Sequence, residues 1–194
     1  MIATNAVLGY DAKRIAAIAR QQTEPTGRTI FVIGLPRSGT TLLEQILTGH
    51  SAVSDGAETT RLSLFAKDIR GLSYADLGRY VEKVGAAGAA RLWRHWMNER
   101  FATPGRVVDK TTNTSRLLGP AAALLPEAPL IWVTRDPLDR AWSCFRTYFG
   151  PSQSWSYDLD DIAFHFRLEE LAIRLRRSDP LAVDRTPHLH RARR

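Results

Sequence analysis

Thr29-Ile30-Phe31-Val32-Ile33 is an unbroken β-branched and apolar run. A run with no polar alternate predicts a strand covered on both faces, as in a parallel sheet. It passes into a glycine-bounded loop, Gly34 to Gly39, and then into residues 40–47, which read as a helix. Residues 130–134 repeat the strand pattern, and Arg106-Val107-Val108-Asp109 is a shorter candidate. Elsewhere the apolar positions fall at helical spacing. Residues 11–22 carry Ile15, Ile18 and Ala19 on one side and stop at Glu24-Pro25-Thr26-Gly27. Ser73-Tyr74-Ala75-Asp76 reads as a capped helix start. Residues 84–101 predict another helix, weakened in its first turns by Gly85 and Gly88. Pro137 opens a helix expected to reach about Phe149, and one more begins near Asp158, with Leu159, Ile162, Ala163, Phe166 and Leu171 to one side.

Strands alternating with helices predict an α/β fold around a parallel sheet with right-handed crossovers. Ligands of such sheets sit beyond the C-terminal ends of the strands. Residues 34–41, 110–113 and 135–139 each follow a candidate strand directly, which points to one shared site.

With 194 residues, 44% of them apolar and 24% charged, the chain is expected to be one soluble domain with a real core. From Arg167 onward there are eight arginines against Glu169, Glu170, Asp179 and Asp184, so four of the seven net positive charges lie in that tail. Such a tail can touch nucleic acid or acidic lipid by charge alone. Its plainer reading is a solvated, disordered end with no specific nucleic-acid partner. Cys144 is the single cysteine, which excludes an intrachain disulfide and a multi-cysteine zinc site and fits a reducing, cytoplasmic setting. No run is long enough for a membrane helix, and Asp11, Lys13 and Arg14 interrupt the N-terminal stretch where a signal peptide would be apolar.

Gly34-Leu35-Pro36-Arg37-Ser38-Gly39-Thr40-Thr41 has the glycine spacing of a phosphate-binding Walker A loop, with Thr40 where the lysine belongs. The physics survives that change. Glycines let backbone N–H groups converge on an anion, the next helix adds its positive end, and Ser38, Thr40 and Thr41 add hydroxyl donors. Arg37 supplies a cation whose fork matches phosphate oxygens. The missing lysine argues against a standard nucleoside triphosphatase.

Residues 30–47, IFVIGLPRSGTTLLEQIL, resemble the 5′-phosphosulfate loop of sulfotransferases, in particular the group of tyrosylprotein sulfotransferases and bacterial sulfotransferases linked to tetratricopeptide repeats. The resemblance implies a three-layer, P-loop-type fold. It also implies 3′-phosphoadenosine 5′-phosphosulfate (PAPS) as sulfuryl donor, bound by Arg37, Ser38, Gly39, Thr40 and Thr41. Arg135-Asp136-Pro137, with Ser143 eight residues after the arginine, resembles the 3′-phosphate element of the same family. Glu58, 21 residues beyond Arg37, corresponds to the family's catalytic glutamate, with Ala57 in place of the usual glycine and Gly56 one position earlier. Lys110, in Asp109-Lys110-Thr111, resembles the lysine that reaches the sulfonate and the bridging oxygen; Thr112 stands where the family usually has proline. Asp109 and Asn113 are supporting candidates. The expected catalytic set is therefore Glu58, Lys110 and Arg37, with no metal.

His50 reads as a helix-end residue rather than the base, since Ser51 replaces the family's proline. His95, His165, His188 and His190 lack metal-ligand spacing. Trp93, Trp96 and Trp132 read as core, Cys144 as a packed thiol, and Arg140 and Arg146 as solvated helix positions. The likeness covers about residues 29–166 and is expected to fade after Arg167, as if the C-terminal part were missing. Three regions follow: a helical lead-in (1–28), a nucleotide-binding domain (29–177) and a basic tail (178–194). The leading reading is transfer from PAPS to a hydroxyl of a sugar, a small alcohol or phenol, or a peptide tyrosine. A truncated, inactive remnant that binds PAPS or its product PAP, and an unusual P-loop kinase or nucleotide hydrolase, stand as alternatives.

Overall fold

Thr29–Ile33 forms β1, and all five of its residues are buried. Phe31 and Ile33 join one apolar cluster, Ile30 and Val32 another, so the strand is covered on both faces as its composition predicts. The computed structural model describes residues 9–56, 58–101, 104–111 and 117–177. Before β1 lies α1 (Ala12–Ala19), and after it α2 (Thr40–Thr48) and β2 (Val53–Asp55). Then follow α3 (Arg61–Ile69), α4 (Tyr74–Val84), α5 (Ala86–Arg100), β3 (Arg106–Asp109), α6 (Leu118–Leu124) and β4 (Leu130–Trp132). The described chain ends with α7 (Pro137–Phe145), a 3₁₀ segment (Pro151–Tyr157) and α8 (Leu159–Arg177).

Among the described residues the sheet has four strands in the order β2-β3-β1-β4. All pairs are parallel, with Thr29 beside Val107, Phe31 beside Leu130 and Val53 beside Arg106. From β1 to β2 the chain moves one way along the sheet; from β2 to β3 and from β3 to β4 it moves back. Right-handed crossovers turn that reversal into opposite faces. Leu43 and Leu47 of α2 accordingly pack with Ile30, Val32 and Val108 on one side. Helices α1 and α3 to α6 pack with Phe31 and Ile33 on the other. The result is a three-layer α/β architecture of the P-loop type. A smaller cluster, Leu35, Cys144, Ile162 and Phe166, fastens α7 and α8 to the loop after β1.

Local signals explain the helix ends. Ser73 and Asp76 form a reciprocal capping box at the start of α4. Gly85, with φ of +74°, ends α4 and separates it from α5, so the helix expected over 84–101 begins at Ala86. Asp136 accepts from the backbone N–H groups of Leu138 and Asp139 at 2.9 and 3.1 Å, and Pro137 opens α7. That helix stops at Phe145, short of the expected Phe149, and a separate 3₁₀ segment follows. Trp93 lies in the core as expected, its indole N–H donating to Thr29 Oγ1 at 3.0 Å, with Trp96 and Trp132 packed around the same cluster. Arg140 departs from expectation. It is buried, its guanidinium 4.0 Å from the Phe166 ring centroid, because α8 lies across α7 at this point. Arg146 is exposed as expected.

Candidate active site

Four parallel strands deliver their C-terminal ends to one edge of the sheet. Across it stand Glu58 after β2, Lys110 after β3, the 34–39 loop after β1 and Arg135 after β4, in that order. With neighbouring strands about 4.8 Å apart, the row spans about 14 Å.

The loop is built by close approach. A Cβ on Gly34 would lie 2.5 Å from Ser38 Oγ and 2.9 Å from the Val133 carbonyl, so only glycine fits between the loop and β4. Ser38 is buried, and its hydroxyl donates to the Leu35 carbonyl at 2.7 Å, closing the turn. Arg37 adopts φ of +67°, a conformation costly to a side-chain-bearing residue and typical of functional loops. Gly39 is the N-cap of α2 and supplies no side-chain cap. The first-turn N–H groups of α2, which begins at Thr40 and Thr41, therefore face outward with the positive end of the helix behind them.

The strained turn aims Arg37 at α7. Its Nε donates to Ser143 Oγ at 2.8 Å, and Arg135 Nη1 reaches the Arg37 carbonyl at 3.5 Å. Arg135 also lies 3.8 Å from Asp139, an exposed pair of little energetic weight. Arg37, Arg135, Ser143, Arg146 and Thr147 line one open cleft of about 400 Å³, with Trp142 and Asp139 at its wall. Three guanidinium groups against one carboxylate make the cleft electropositive, and forks beside hydroxyls are suited to phosphate oxygens. Cys144 points away from it, buried, with Sγ 3.5 Å from the Pro36 carbonyl; burial pushes its thiol pKa up, although Arg140 and Arg37 pull against that.

The other end of the row is acidic and tightly tied. Asp109, buried at the end of β3, accepts from Thr59 Oγ1 at 2.7 Å and from Thr111 N and Oγ1 at 2.9 and 2.5 Å. Thr111 Oγ1 in turn accepts from the Thr60 N–H at 3.2 Å. These bonds lock the segment carrying Glu58 to the one carrying Lys110. Gly56 makes the approach possible: its N–H donates to the Val108 carbonyl at 3.0 Å, where a Cβ would lie 2.3 Å from the same oxygen. The glycine this turn requires is thus Gly56; Ala57 lies outside the described residues. Lys110 Nζ stands 3.5 Å from Glu44 Oε2 and 3.9 Å from Glu58 Oε1. His50 is outside this constellation as expected, its Nδ1 accepting from the Ala52 N–H at 3.1 Å.

The structure therefore groups Arg37, Arg135 and Ser143 in one cleft, and Glu58 with Lys110 at the β2–β3 end of the row. Asn113, His188 and His190 fall outside the described residues. Glu44, Thr59, Trp142 and Thr147 were missed by sequence reasoning. For Glu44 a signal existed: a carboxylate beside Leu43 and within reach of Leu47, on the helix side that must meet the sheet. Among the described residues no helix is long and apolar enough to cross a membrane, and no group of three or more potential metal ligands is found.

A protein of Aquifex aeolicus (strain VF5) bearing only the name "Uncharacterized protein" is 30% identical over 149 residues. The match takes in 70% of this chain and 19% of the relative, so the chain spans about a fifth of that protein's length. Residues 29–185 match the Sulfotransferase family, a stretch that begins at β1, contains the whole row of strand-end residues and continues past Arg167, where the likeness was expected to fade. On that match the chain belongs to the sulfotransferase family.

Proposed function

We propose that this chain transfers a sulfuryl group from PAPS to a hydroxyl of a sugar, a small alcohol or phenol, or a peptide tyrosine. The observation that carries the proposal is the Arg37–Ser143 hydrogen bond, which brings the loop after β1 and the helix after β4 into one electropositive cleft. A bisphosphorylated nucleotide needs two anion sites a nucleoside apart. The N–H groups of the loop and α2, with Thr40 and Thr41, suit the 5′ end; Arg135 and Ser143 suit the 3′-phosphate. Ser38 serves by closing the loop.

The donor supplies the sulfuryl group. Glu58 takes the proton of the acceptor hydroxyl as its oxygen bonds to sulfur. The bond from sulfur to the bridging oxygen breaks, and Lys110 and Arg37 stabilise the charge left on the departing 3′,5′-bisphosphate. Glu58 and Lys110 are already neighbours, held by the Asp109 bonds, so the chain's contribution is largely preorganisation. Residues 29–177 form the transferase unit, with 1–28 as lead-in and 178–194 as a basic tail. The fold needs no disulfide, since Cys144 is its single cysteine, and a cytoplasmic setting is proposed on that ground.

The test is turnover of sulfur-labelled PAPS over a panel of sugars, phenols and tyrosyl peptides. Glu58→Gln is expected to lower kcat about 10²–10⁴-fold, with binding of the product PAP unchanged. Turnover surviving in this variant would overturn the assignment of the base, and a preference for ATP–Mg²⁺ over PAP would overturn the donor.

A further inference from the structure

We infer that Glu44 is a positioning residue of the transfer site, a buried carboxylate that holds the Lys110 ammonium at the leaving-group position and away from Glu58. The inference rests on the reading of Lys110 and Glu58 proposed above.

Glu44 is the buried residue of α2, with 5% of its surface exposed, on a helix face otherwise occupied by Leu43 and Leu47. A leucine would fill such a place more favourably, because a buried carboxylate is costly unless a cation and hydrogen bonds compensate it. The cation present is Lys110, 3.5 Å away with its side chain 15% exposed. Glu58 lies 3.9 Å from the same ammonium, but its side chain is 51% exposed. Screening decides between the two acids: water weakens the outer pair, while the inner pair keeps its attraction.

That asymmetry has a chemical use. With Glu58 as its sole partner, Lys110 would neutralise the group that must accept the acceptor's proton. A second, deeper carboxylate draws the ammonium toward the floor of the row, beside the phosphate loop, and leaves Glu58 facing outward. The charged groups that face Glu44 are Asp55 from β2 and Lys110 from the end of β3, with Glu58 beyond the lysine. Burial, and then Asp55, push the Glu44 pKa up against the pull of Lys110. Oε1 of Glu44 is buried without a hydrogen-bond partner, and the carboxylate is shared between a hydrogen bond with Asp55 and the ion pair with Lys110.

The experiment is competitive acetylation of the nucleotide-free protein with acetic anhydride, read peptide by peptide. Lys13, Lys67 and Lys83 are exposed and serve as internal references. Lys110 is expected to react more slowly than all three. In Glu44→Gln its rate should rise about tenfold while the references stay constant, and Glu44→Asp should keep the protection. Turnover of PAPS should show a kcat about tenfold lower in Glu44→Gln, with KM for PAPS and PAP affinity within about twofold, and with most of the rate restored in Glu44→Asp. Lys110 labelling as fast as the references in the unmutated protein, or a labelling ratio unmoved in Glu44→Gln, overturns the inference; the first comparison requires no variant to fold. Failure of PAP to bind the unmutated protein would instead overturn the proposed function, and leaves the labelling result to be judged by itself.

Discussion

Arg37 Nε donates to Ser143 Oγ across 2.8 Å, joining two positions 106 residues apart in the chain. One partner sits on a strained turn after β1, the other on the second turn of α7 after β4. The bond exists because β1 and β4 are adjacent and parallel, so both connections leave the sheet at the same edge.

Removing the two partners should have unequal effects on the nucleotide. On the proposed reading Arg37→Ala deletes a charge-assisted donor to phosphate, worth about 1.5–3 kcal/mol, and should weaken PAP binding by about tenfold to a hundredfold. Ser143→Ala removes a neutral hydroxyl, worth about 0.5–1.5 kcal/mol, and should cost about tenfold at most. Titration calorimetry at fixed ionic strength measures both. Equal losses would mean that Arg37 acts only by positioning Ser143.

Asp109→Ala strips the common acceptor from Thr59 Oγ1, Thr111 N and Thr111 Oγ1 in a buried setting. Each donor left unsatisfied costs about 1–3 kcal/mol. Differential scanning calorimetry should show a clear fall in Tm. At temperatures where the variant is still folded, kcat should fall more than PAP affinity, because the Glu58 and Lys110 segments lose their tie while the arginine cleft remains. A loss confined to Tm would make Asp109 purely structural.

Gly56→Ala places a methyl 2.3 Å from the Val108 carbonyl and 2.7 Å from Val107 Cγ1. Backbone cannot yield as a flexible side chain would, so β2 must move away from β3. The expected cost is about 1–3 kcal/mol, and a chain of this size loses about 2–4 °C of Tm per kcal/mol. An unchanged Tm would contradict the packing described for β2.

The capping box of α4 predicts a pH signature. Hydrogen bonds from Ser73 hold the Asp76 carboxyl below its ordinary 3.8, against the opposing effect of burial, and Arg79 adds to the lowering. A depressed folded-state value means that the ionised form stabilises the fold. The contribution is complete above pH 3.8 and disappears as pH falls through the lower value of the native state. The Tm difference between the unmutated protein and Asp76→Asn should therefore be present at neutral pH and close under acid conditions. A gap that stays constant with pH would assign the effect to shape rather than charge.

How far the sequence could be read follows from where its signals were strong. The run from Thr29 to Ile33 announced a doubly covered strand because every residue in it is buried. The loop and α2 were legible because glycines and hydroxyls at fixed spacing have few other uses. Val53–Asp55 was invisible: three residues with a serine and an aspartate carry no strand signature, and its partner β3 lies about a quarter of the chain away. Arg61–Ile69 could have been found, since Leu62, Phe65 and Ile69 are spaced for one helix face and all are buried. Leu118–Leu124 was obscured by Gly119 and Pro120 in its first turn. Arg140 was misread because α8, which covers it, approaches only in three dimensions. The residues of the row were individually recognisable by resemblance, but their order was not. That Glu58, Lys110, the loop and Arg135 stand side by side is a property of the strand order β2-β3-β1-β4.

The central claim is that two separate connections grip the two ends of one nucleotide, with Arg135 reading the 3′-phosphate. Titration calorimetry of the unmutated protein and Arg135→Ala with adenosine 3′,5′-bisphosphate and adenosine 5′-monophosphate tests it directly. The account predicts that the unmutated protein binds the bisphosphate at least about tenfold more tightly, and that the variant binds the two ligands nearly equally. Retention of the full preference in Arg135→Ala would contradict it.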